Sequence, residues 1–243
     1  RKKRSMSASE EILFDCNEMA KGHDYFRLVG INVSPDNTKA VFGIDTVSRR
    51  QYILKVKDLI TGEIFDTSIT NSTGGSAWAK DNEHFFYTLK NPETLRSEAI
   101  YRHTLSNLNA ASELVFKEED ETFSCYVTTS KSEDYIFIGS YSTLSTEFQF
   151  IKADEPLSPF VVVQERKKDL EYSISHYGEY FYIFTNADGA KNYKVMKAEV
   201  NKAQMENWEE VLAHREDVLL EGIDIFKNNL VISERQNGLT GIR

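Results

Sequence analysis

The side chains best suited to proton transfer near neutral pH are the histidines His23, His84, His103, His176 and His214. A serine nucleophile would need one of them as its base, with an acid behind it to orient the ring. The spacing ties none of the five to a particular serine. The string Gly74-Gly75-Ser76-Ala77-Trp78 comes close to the G-x-S-x-G elbow but ends in tryptophan. It reads as a loop entering a strand. No H-x-x-x-H or H-E-x-x-H pair is present, so no metal site is predicted. Asn186-Ala187-Asp188-Gly189 resembles part of a calcium loop, but the later ligand positions do not fit, and Asp-Gly favours a tight hairpin turn. No glycine-rich phosphate loop occurs, and no cofactor is predicted. No catalytic residue is therefore assigned to this chain.

Two charge runs invite a binding role. Glu118-Glu119-Asp120-Glu121 would attract a basic peptide, although such a run is more often a solvated loop. Arg1-Lys2-Lys3-Arg4 has the look of a localisation or nucleic-acid patch and reads better as a solvated surface stretch. The chain carries 38 acids against 29 Lys and Arg, a net charge of -9. That balance argues against a nucleic-acid partner, which demands cations to displace phosphate counterions. It suits a cationic one.

The elements that would position these side chains repeat along the chain. A turn between two apolar stretches recurs five times. Val33-Ser34-Pro35-Asp36-Asn37 leads into Ala40-Val41-Phe42, and Trp78-Ala79-Lys80-Asp81-Asn82 leads into Phe85-Phe86-Tyr87. The third, fourth and fifth turns precede Tyr135-Ile136-Phe137-Ile138, Tyr180-Phe181-Tyr182-Ile183 and Leu230-Val231-Ile232. The turn residues Asp36, Asp81, Ser132, Gly178 and Asn228 lie about 45 to 51 residues apart, close to the period of propeller blades. Further strands follow in each repeat. Between Gln51 and Lys57, for example, Tyr52, Leu54 and Val56 alternate onto one face. Four short antiparallel strands per repeat predict an all-β fold, a β-propeller. The expected division is 1–24 as the end of an earlier blade, 25–70, 71–118, 119–166 and 167–215 as blades, and 216–243 as an incomplete one. Glu10 to Ala20 is the expected tail of that earlier blade. Val200 to His214 is balanced between a helical turn and a plain loop.

The chain has 243 residues, 40% of them hydrophobic, with 15 Phe and 12 Tyr, a mix that favours strands. No apolar run approaches the length of a membrane span, and no membrane partner is expected. Two cysteines, Cys16 and Cys125, without C-x-x-C spacing, suggest a reducing compartment. The expected location is the cytoplasm, with the periplasm as the alternative. The chain opens at Arg1 without an initiator methionine, as a segment of a longer protein would. An arc with open ends is expected to self-associate through its exposed strands.

In a meandering blade, the first-to-second and third-to-fourth connections share one edge and the second-to-third connections share the other. The second-to-third set reads as longer and more charged: Ser48-Arg49-Arg50, Asn91 to Glu98, Ser142 to Thr146, Asp188 to Asn192, and Glu234-Arg235-Gln236-Asn237. Charged loops on a rigid scaffold tend to carry partner contacts. Arg49, Arg50, Glu234 and Arg235 are the candidate binding residues, for a docked domain or a peptide.

Several of these strings also resemble a known family. Asp15-Cys16-Asn17-Glu18-Met19-Ala20, Ser48-Arg49-Arg50-Gln51-Tyr52, Lys168-Asp169-Leu170-Glu171-Tyr172-Ser173 with His176-Tyr177, and Leu220-Glu221-Gly222 with Glu234-Arg235-Gln236-Asn237-Gly238-Leu239 follow the order and spacing of the oligopeptidase B (protease II) propeller, in the prolyl oligopeptidase family. The resemblance covers essentially the whole chain. It implies a parent serine endopeptidase in which a seven-bladed propeller, about five blades of it here, joins an α/β-hydrolase domain. The Ser-Asp-His triad would lie in that domain, beyond Arg243, and the segment alone would be inactive. Cleavage would follow Lys or Arg, and the propeller would exclude large folded substrates. The implied partners are the protein's own C-terminal hydrolase domain and basic oligopeptides. The alternative is a non-catalytic propeller that binds partner proteins, although the Trp-Asp dipeptides of WD repeats do not occur. A propeller glycosidase would need paired carboxylates about 5–10 Å apart, a spacing no sequence can display.

Overall fold

Alternating apolar side chains and left-handed turn residues organise the chain into five antiparallel sheets. A computed structural model describes residues 7–243, so Arg1-Lys2-Lys3-Arg4 lies outside the described residues. The chain divides into two compact units, one ending at Glu119 and the other starting at Asp120.

The first unit begins with a one-turn helix, α1 (Cys16–Met19), within the stretch expected as the tail of an earlier blade. Asp15 caps it, because its Oδ1 accepts the backbone N–H groups of Asn17 and Glu18 at 3.1 and 3.2 Å. Sheet one follows as β1 (Arg27–Val33), β2 (Lys39–Asp45), β3 (Ile53–Asp58) and β4 (Ile64–Asp66). Sheet two is β5 (Ser72–Trp78), β6 (His84–Lys90), β7 (Ser97–Thr104) and β8 (Glu113–Lys117). Spatial order equals chain order in both, a simple meander. The sheets pack through Val41, Leu54, Val56, Ile69, Trp78, Phe85 and Tyr87. Two hydrogen bonds stitch β1 to β5: Asn32 Nδ2 donates to the Ser76 carbonyl at 2.6 Å, and Trp78 Nε1 donates to the Asn32 carbonyl at 2.9 Å. Gly74-Gly75-Ser76 is thus part of β5, not a loop before it. Gly30 and Gly74 both have positive φ, 62° and 87°, and a Cβ on Gly30 would fall 1.8 Å from the Gly74 carbonyl oxygen. Only glycine permits that approach.

The second unit holds sheet three, β9 (Ser124–Thr129), β10 (Tyr135–Tyr141), β11 (Thr146–Lys152) and β12 (Val161–Gln164). Sheet four is β13 (Tyr172–Tyr177), β14 (Tyr180–Thr185), β15 (Lys194–Glu199) and β16 (Glu209–Leu212). Sheet five has three strands, β17 (Leu219–Ile225), β18 (Leu230–Gln236) and β19 (Leu239–Ile242). Sheets three and four share an aromatic core of Phe137, Phe148, Tyr172, Phe181 and Trp208. Val195, Val218, Leu220 and Ile232 join sheet four to sheet five. Between β15 and β16 the chain makes two 3-10 turns, Val200–Lys202 and Met205–Asn207, so the first half of the ambiguous 200–214 stretch is helical turns and Glu209–Leu212 is strand.

The first-to-second turns of sheets one, two and three share one construction. Asn37, Asn82 and Glu133 are left-handed, with φ of 61°, 58° and 63°. Each N–H returns to the carbonyl three residues back, on Ser34, Ala79 and Ser130. The preceding side chains Asp36, Asp81 and Ser132 accept the N–H two residues on.

Candidate functional site

Arg49 and Arg50 sit in the connection between β2 and β3, and a buried carboxylate shapes it. Asp45, the last residue of β2, is 1% exposed. It accepts the Val47 N–H at Oδ1 (2.9 Å) and the Arg50 N–H at Oδ2 (2.7 Å), so the chain wraps around it. Ser48 and Arg50 are held left-handed, with φ of 62° and 55°. Such backbone costs about 1–2 kcal/mol per residue and persists only where neighbours enforce it. Lys90, from β6 of the next sheet, donates to the Arg50 carbonyl at 2.7 Å and lies 6.0 Å from the Tyr52 ring. Burial, and then the nearby Arg50 charge, holds the Lys90 ammonium below its ordinary range, against a pull from Asp45. The loop is therefore pinned from both sides. Arg49 and Arg50 are exposed, and among the described residues neither guanidinium has an acidic partner.

Glu234 and Arg235 prove to be strand residues near the end of β18, not loop residues. Asn237-Gly238 makes the whole turn, with φ of 52° and 80°, the two left-handed positions of a tight hairpin. Arg235 is already paired, to Glu221 Oε1 at 2.7 Å, and Glu234 accepts from Arg243 at 3.0 Å. Exposed pairs of this kind contribute about 0–1 kcal/mol. Arg49 and Arg50 belong to the first unit, and Glu234 and Arg235 to the second.

Length does not separate the two edges of the sheets as expected. The third-to-fourth connections 59–63, 105–112, 153–160 and 200–208 are as long as the second-to-third ones. The Asn186-to-Gly189 stretch is likewise not a tight hairpin. Asp188 and Gly189 have the expected positive φ, but they form a 3-10 turn inside the longer 186–193 connection. In the acidic run, Glu118 is 3% exposed and its carbonyl accepts both Arg96 Nη1 (3.2 Å) and Nη2 (3.3 Å). Asp120 caps the Thr122 N–H at 2.9 Å. Only the later part of the run is solvated.

His176 and His103 sit in structural pairs with serines. Ser132 Oγ bonds His176 Nδ1 at 2.7 Å, and His176 Nε2 lies 2.8 Å from the Gly178 carbonyl. A carbonyl only accepts, so Nε2 is the donor to Gly178, while Nδ1 faces Ser132 Oγ and, at 3.7 Å, Asp134 Oδ2. The serine and histidine superficially match a nucleophile and base. However, Ser132 Oγ also meets Ser130 Oγ at 2.9 Å and the Asp134 N–H at 3.3 Å. The carbonyl behind the ring cannot stabilise an imidazolium as a triad carboxylate does. The pair staples sheet three to sheet four. His103 is 2% exposed, bonded to Ser112 Oγ at 2.8 Å, with its ring 5.3 Å from that of Phe85 and tilted to it by 53°. Burial pushes its pKa down from 6.5, with a weaker upward pull from the Leu108 backbone. Among the described residues no three His, Cys, Asp or Glu side chains converge on a metal position.

One feature of the second unit was missed in the sequence, a cleft of about 380 Å3 between sheet three and β13. It is lined by Tyr126, Ser140, Tyr141, Thr146, Phe148, Tyr172 and Ser173. Strand pairing sets Tyr126 and Phe148 on either side of Gly139, and Tyr141 follows two residues later on the same face. Tyr126 meets Tyr141 edge-on at 5.9 Å and Phe148 at 6.3 Å. Cross-strand register creates this cluster, and the alternation of Gly139 with Tyr141 was its one visible trace.

Repeated four-stranded meanders, with first strands β1 and β5, and β13 and β17, lying side by side, define the chain as a β-propeller domain. The model for the prolyl oligopeptidase N-terminal beta-propeller domain matches residues 1–243, and the chain belongs to that family of serine peptidases. It is 36% identical over 236 residues to "Dipeptidyl aminopeptidase BI" of Pseudoxanthomonas mexicana, covering 97% of this chain and 32% of the relative. It is 30% identical to "Protease 2" of Moraxella lacunata, covering 97% of this chain and 34% of the relative. The structure of oligopeptidase B from Leishmania major superposes with a TM-score of 0.89 at 25% identity, over 99% of this chain and 34% of that one. The chain thus spans about a third of the length of the relatives it matches.

Proposed function

We propose that this chain is the access-controlling propeller of an oligopeptidase B-like serine endopeptidase that hydrolyses oligopeptides after Lys or Arg. The observation that carries the reading is the match of nearly the whole chain to one third of two proteins named as peptidases. Acyl transfer takes place on a separate C-terminal hydrolase domain, with a serine nucleophile, a histidine base and an orienting aspartate, and needs no cofactor. The propeller excludes folded chains and admits flexible peptides. The pinned Arg49-Arg50 loop supports a docking role, because two unpaired guanidinium groups on a rigid loop suit carboxylates across an interface that opens and closes. The net charge of -9 favours basic peptides approaching from solution. Cys16, exposed, and Cys125, buried, are not joined in a disulfide, which fits a cytoplasmic location. The open edge of β19, with Leu239 76% and Ile242 81% exposed, supports self-association of the isolated chain, which light scattering across a concentration series tests.

The deciding experiment uses the full-length enzyme and a peptide library read by mass spectrometry. Cleavage confined to bonds after Lys and Arg, in peptides but not in the same sequences within a folded protein, supports the reading. Cleavage without that preference rejects the specificity, and equal cleavage of the folded protein rejects the access role. Reversal by Arg49→Glu is expected to change kcat/KM with little change in stability, and unchanged kinetics remove Arg49 from the interface.

A further inference from the structure

The cleft between sheet three and β13 has features that the fold does not use. Tyr172 is fully engaged: its hydroxyl donates to the Gln164 carbonyl at 2.7 Å and accepts the Phe148 N–H at 2.8 Å. Thr146 Oγ1 is likewise engaged, donating to the Tyr172 carbonyl at 2.8 Å. Tyr126 and Tyr141 differ. Among the described residues neither hydroxyl has a hydrogen-bond partner, although Tyr141 is 47% exposed and Tyr126 38%. Gly139 clears the floor: a Cβ there would stand 2.7 Å from Tyr126 Cε1 and Cζ, so the ring lies directly over the glycine. A flat aromatic floor, aromatic walls and two free phenol donors form a built recess.

Its chemistry selects an occupant. No charged side chain lines it. A cation at such an open site would gain only about 0.5–1 kcal/mol from ring faces, with no carboxylate to assist. A volume of about 380 Å3 lies at the small end of ligand pockets and suits one large side chain, not a whole folded segment. Burial, and then the neighbouring Tyr141, holds the Tyr126 phenol above 10.0, so near neutrality it is a neutral donor. The cleft also lies at the same edge of its sheet as the 142–145 connection, since Tyr141 and Thr146 flank that connection.

We propose that this cleft is a peptide subsite that takes a large uncharged side chain, aromatic by preference, with the Tyr126 and Tyr141 hydroxyls donating to carbonyls of the same peptide. The assignment rests on the peptidase reading for its ligand class. It adds a second element of recognition to a basic residue at the cut bond.

The test has two arms. In the first, the full-length protein, its nucleophilic serine blocked by a covalent inhibitor and its tyrosines replaced by 3-fluorotyrosine, is titrated with capped Gly-Gly-Xaa-Gly-Gly peptides, where Xaa is Trp, Leu, Ala or Lys, and binding is followed at the Tyr126 and Tyr141 signals by fluorine NMR. The Trp peptide is expected to shift the Tyr126 and Tyr141 signals and to bind about tenfold tighter than the Ala peptide, as one buried aromatic ring warrants. The Lys peptide is expected to resemble the Ala peptide. Tyr126→Ala should abolish the Trp preference. Gly139→Ala, which keeps every ring but displaces Tyr126, should reduce it, and it serves if Tyr126→Ala fails to fold. Equal binding of the Trp and Ala peptides, tighter binding of the Lys peptide, or an unchanged preference in both variants would overturn the assignment. In the second arm, the full-length enzyme is assayed with substrates carrying Trp or Ala away from the cut bond. A lower KM for Trp at constant kcat supports the subsite within a peptidase. Binding in the first arm with no hydrolysis in the second rejects the peptidase reading and leaves the peptide cleft standing.

Discussion

The two edges of each sheet solve their turns differently. At the first-to-second edge, the same device appears at Asp36-Asn37, Asp81-Asn82 and Ser132-Glu133: a side-chain acceptor followed by a left-handed residue. These turns also reach the next sheet. The Asp36 N–H donates to Asn82 Oδ1 at 2.8 Å, and Ser132 bonds His176. At the opposite edge no two connections are alike. Asp45 wraps 46–50, Asn91 Oδ1 accepts the N–H groups of Glu93 and Thr94, and Asn237-Gly238 closes in two residues. A repeated solution marks an edge that holds sheets together. A varied one marks an edge free to carry recognition, and it is there that Arg49, Arg50 and the tyrosine cleft lie, each in its own unit.

Substitutions on both edges test this contrast. The largest effect is expected from His176→Ala, which removes a ring 4.5 Å from Tyr135 and takes from Ser132 its hydrogen bond to the next sheet. A loss of about 3 kcal/mol in chemical denaturation is expected, and under 1 kcal/mol would show that the staple is dispensable. Asp45→Ala should cost about 2 kcal/mol, because two N–H groups lose their acceptor, and should raise hydrogen exchange at Val47 and Arg50 first. Exchange unchanged there would mean that Lys90 alone holds the loop.

His103 should make stability depend on pH. Its folded pKa lies below 6.5, so as pH falls through 6.5 the unfolded chain takes up a proton that the folded chain refuses. Its contribution is complete above 6.5 and lost as pH drops towards the lowered value. His103→Gln should flatten that part of the stability profile, and an identical slope in the variant would place the effect elsewhere. Glu133→Gly should stabilise by about 0.5 kcal/mol, since glycine relieves the left-handed strain that Asn37 and Asn82 bear more easily. Arg49→Ala should stay within about 0.5 kcal/mol of the parent in melting experiments, as expected of an exposed side chain without a partner. A larger loss would give Arg49 a structural role.

Much of this architecture can be read directly from residue order. Tyr52, Leu54 and Val56 alternate and are all buried, and Asn237-Gly238 is itself a strong hairpin signal that places Glu234 and Arg235 in the strand. The helix at Cys16–Met19 was also announced, by the cap at Asp15. The carboxylate at Asp45 gave no comparable sign. Its importance comes from burial and from Lys90 arriving on another sheet.

Local order determined the repeat, the strands and most turns, because period-two burial and left-handed turn residues act over a few neighbouring positions. Tertiary structure alone decided which histidine meets which serine, which arginines stay unpaired, and that Tyr126, Tyr141, Phe148 and Tyr172 share one cleft. Those outcomes depend on strand register and on sheet-to-sheet packing, which join residues many positions apart through contacts that no short stretch of chain encodes.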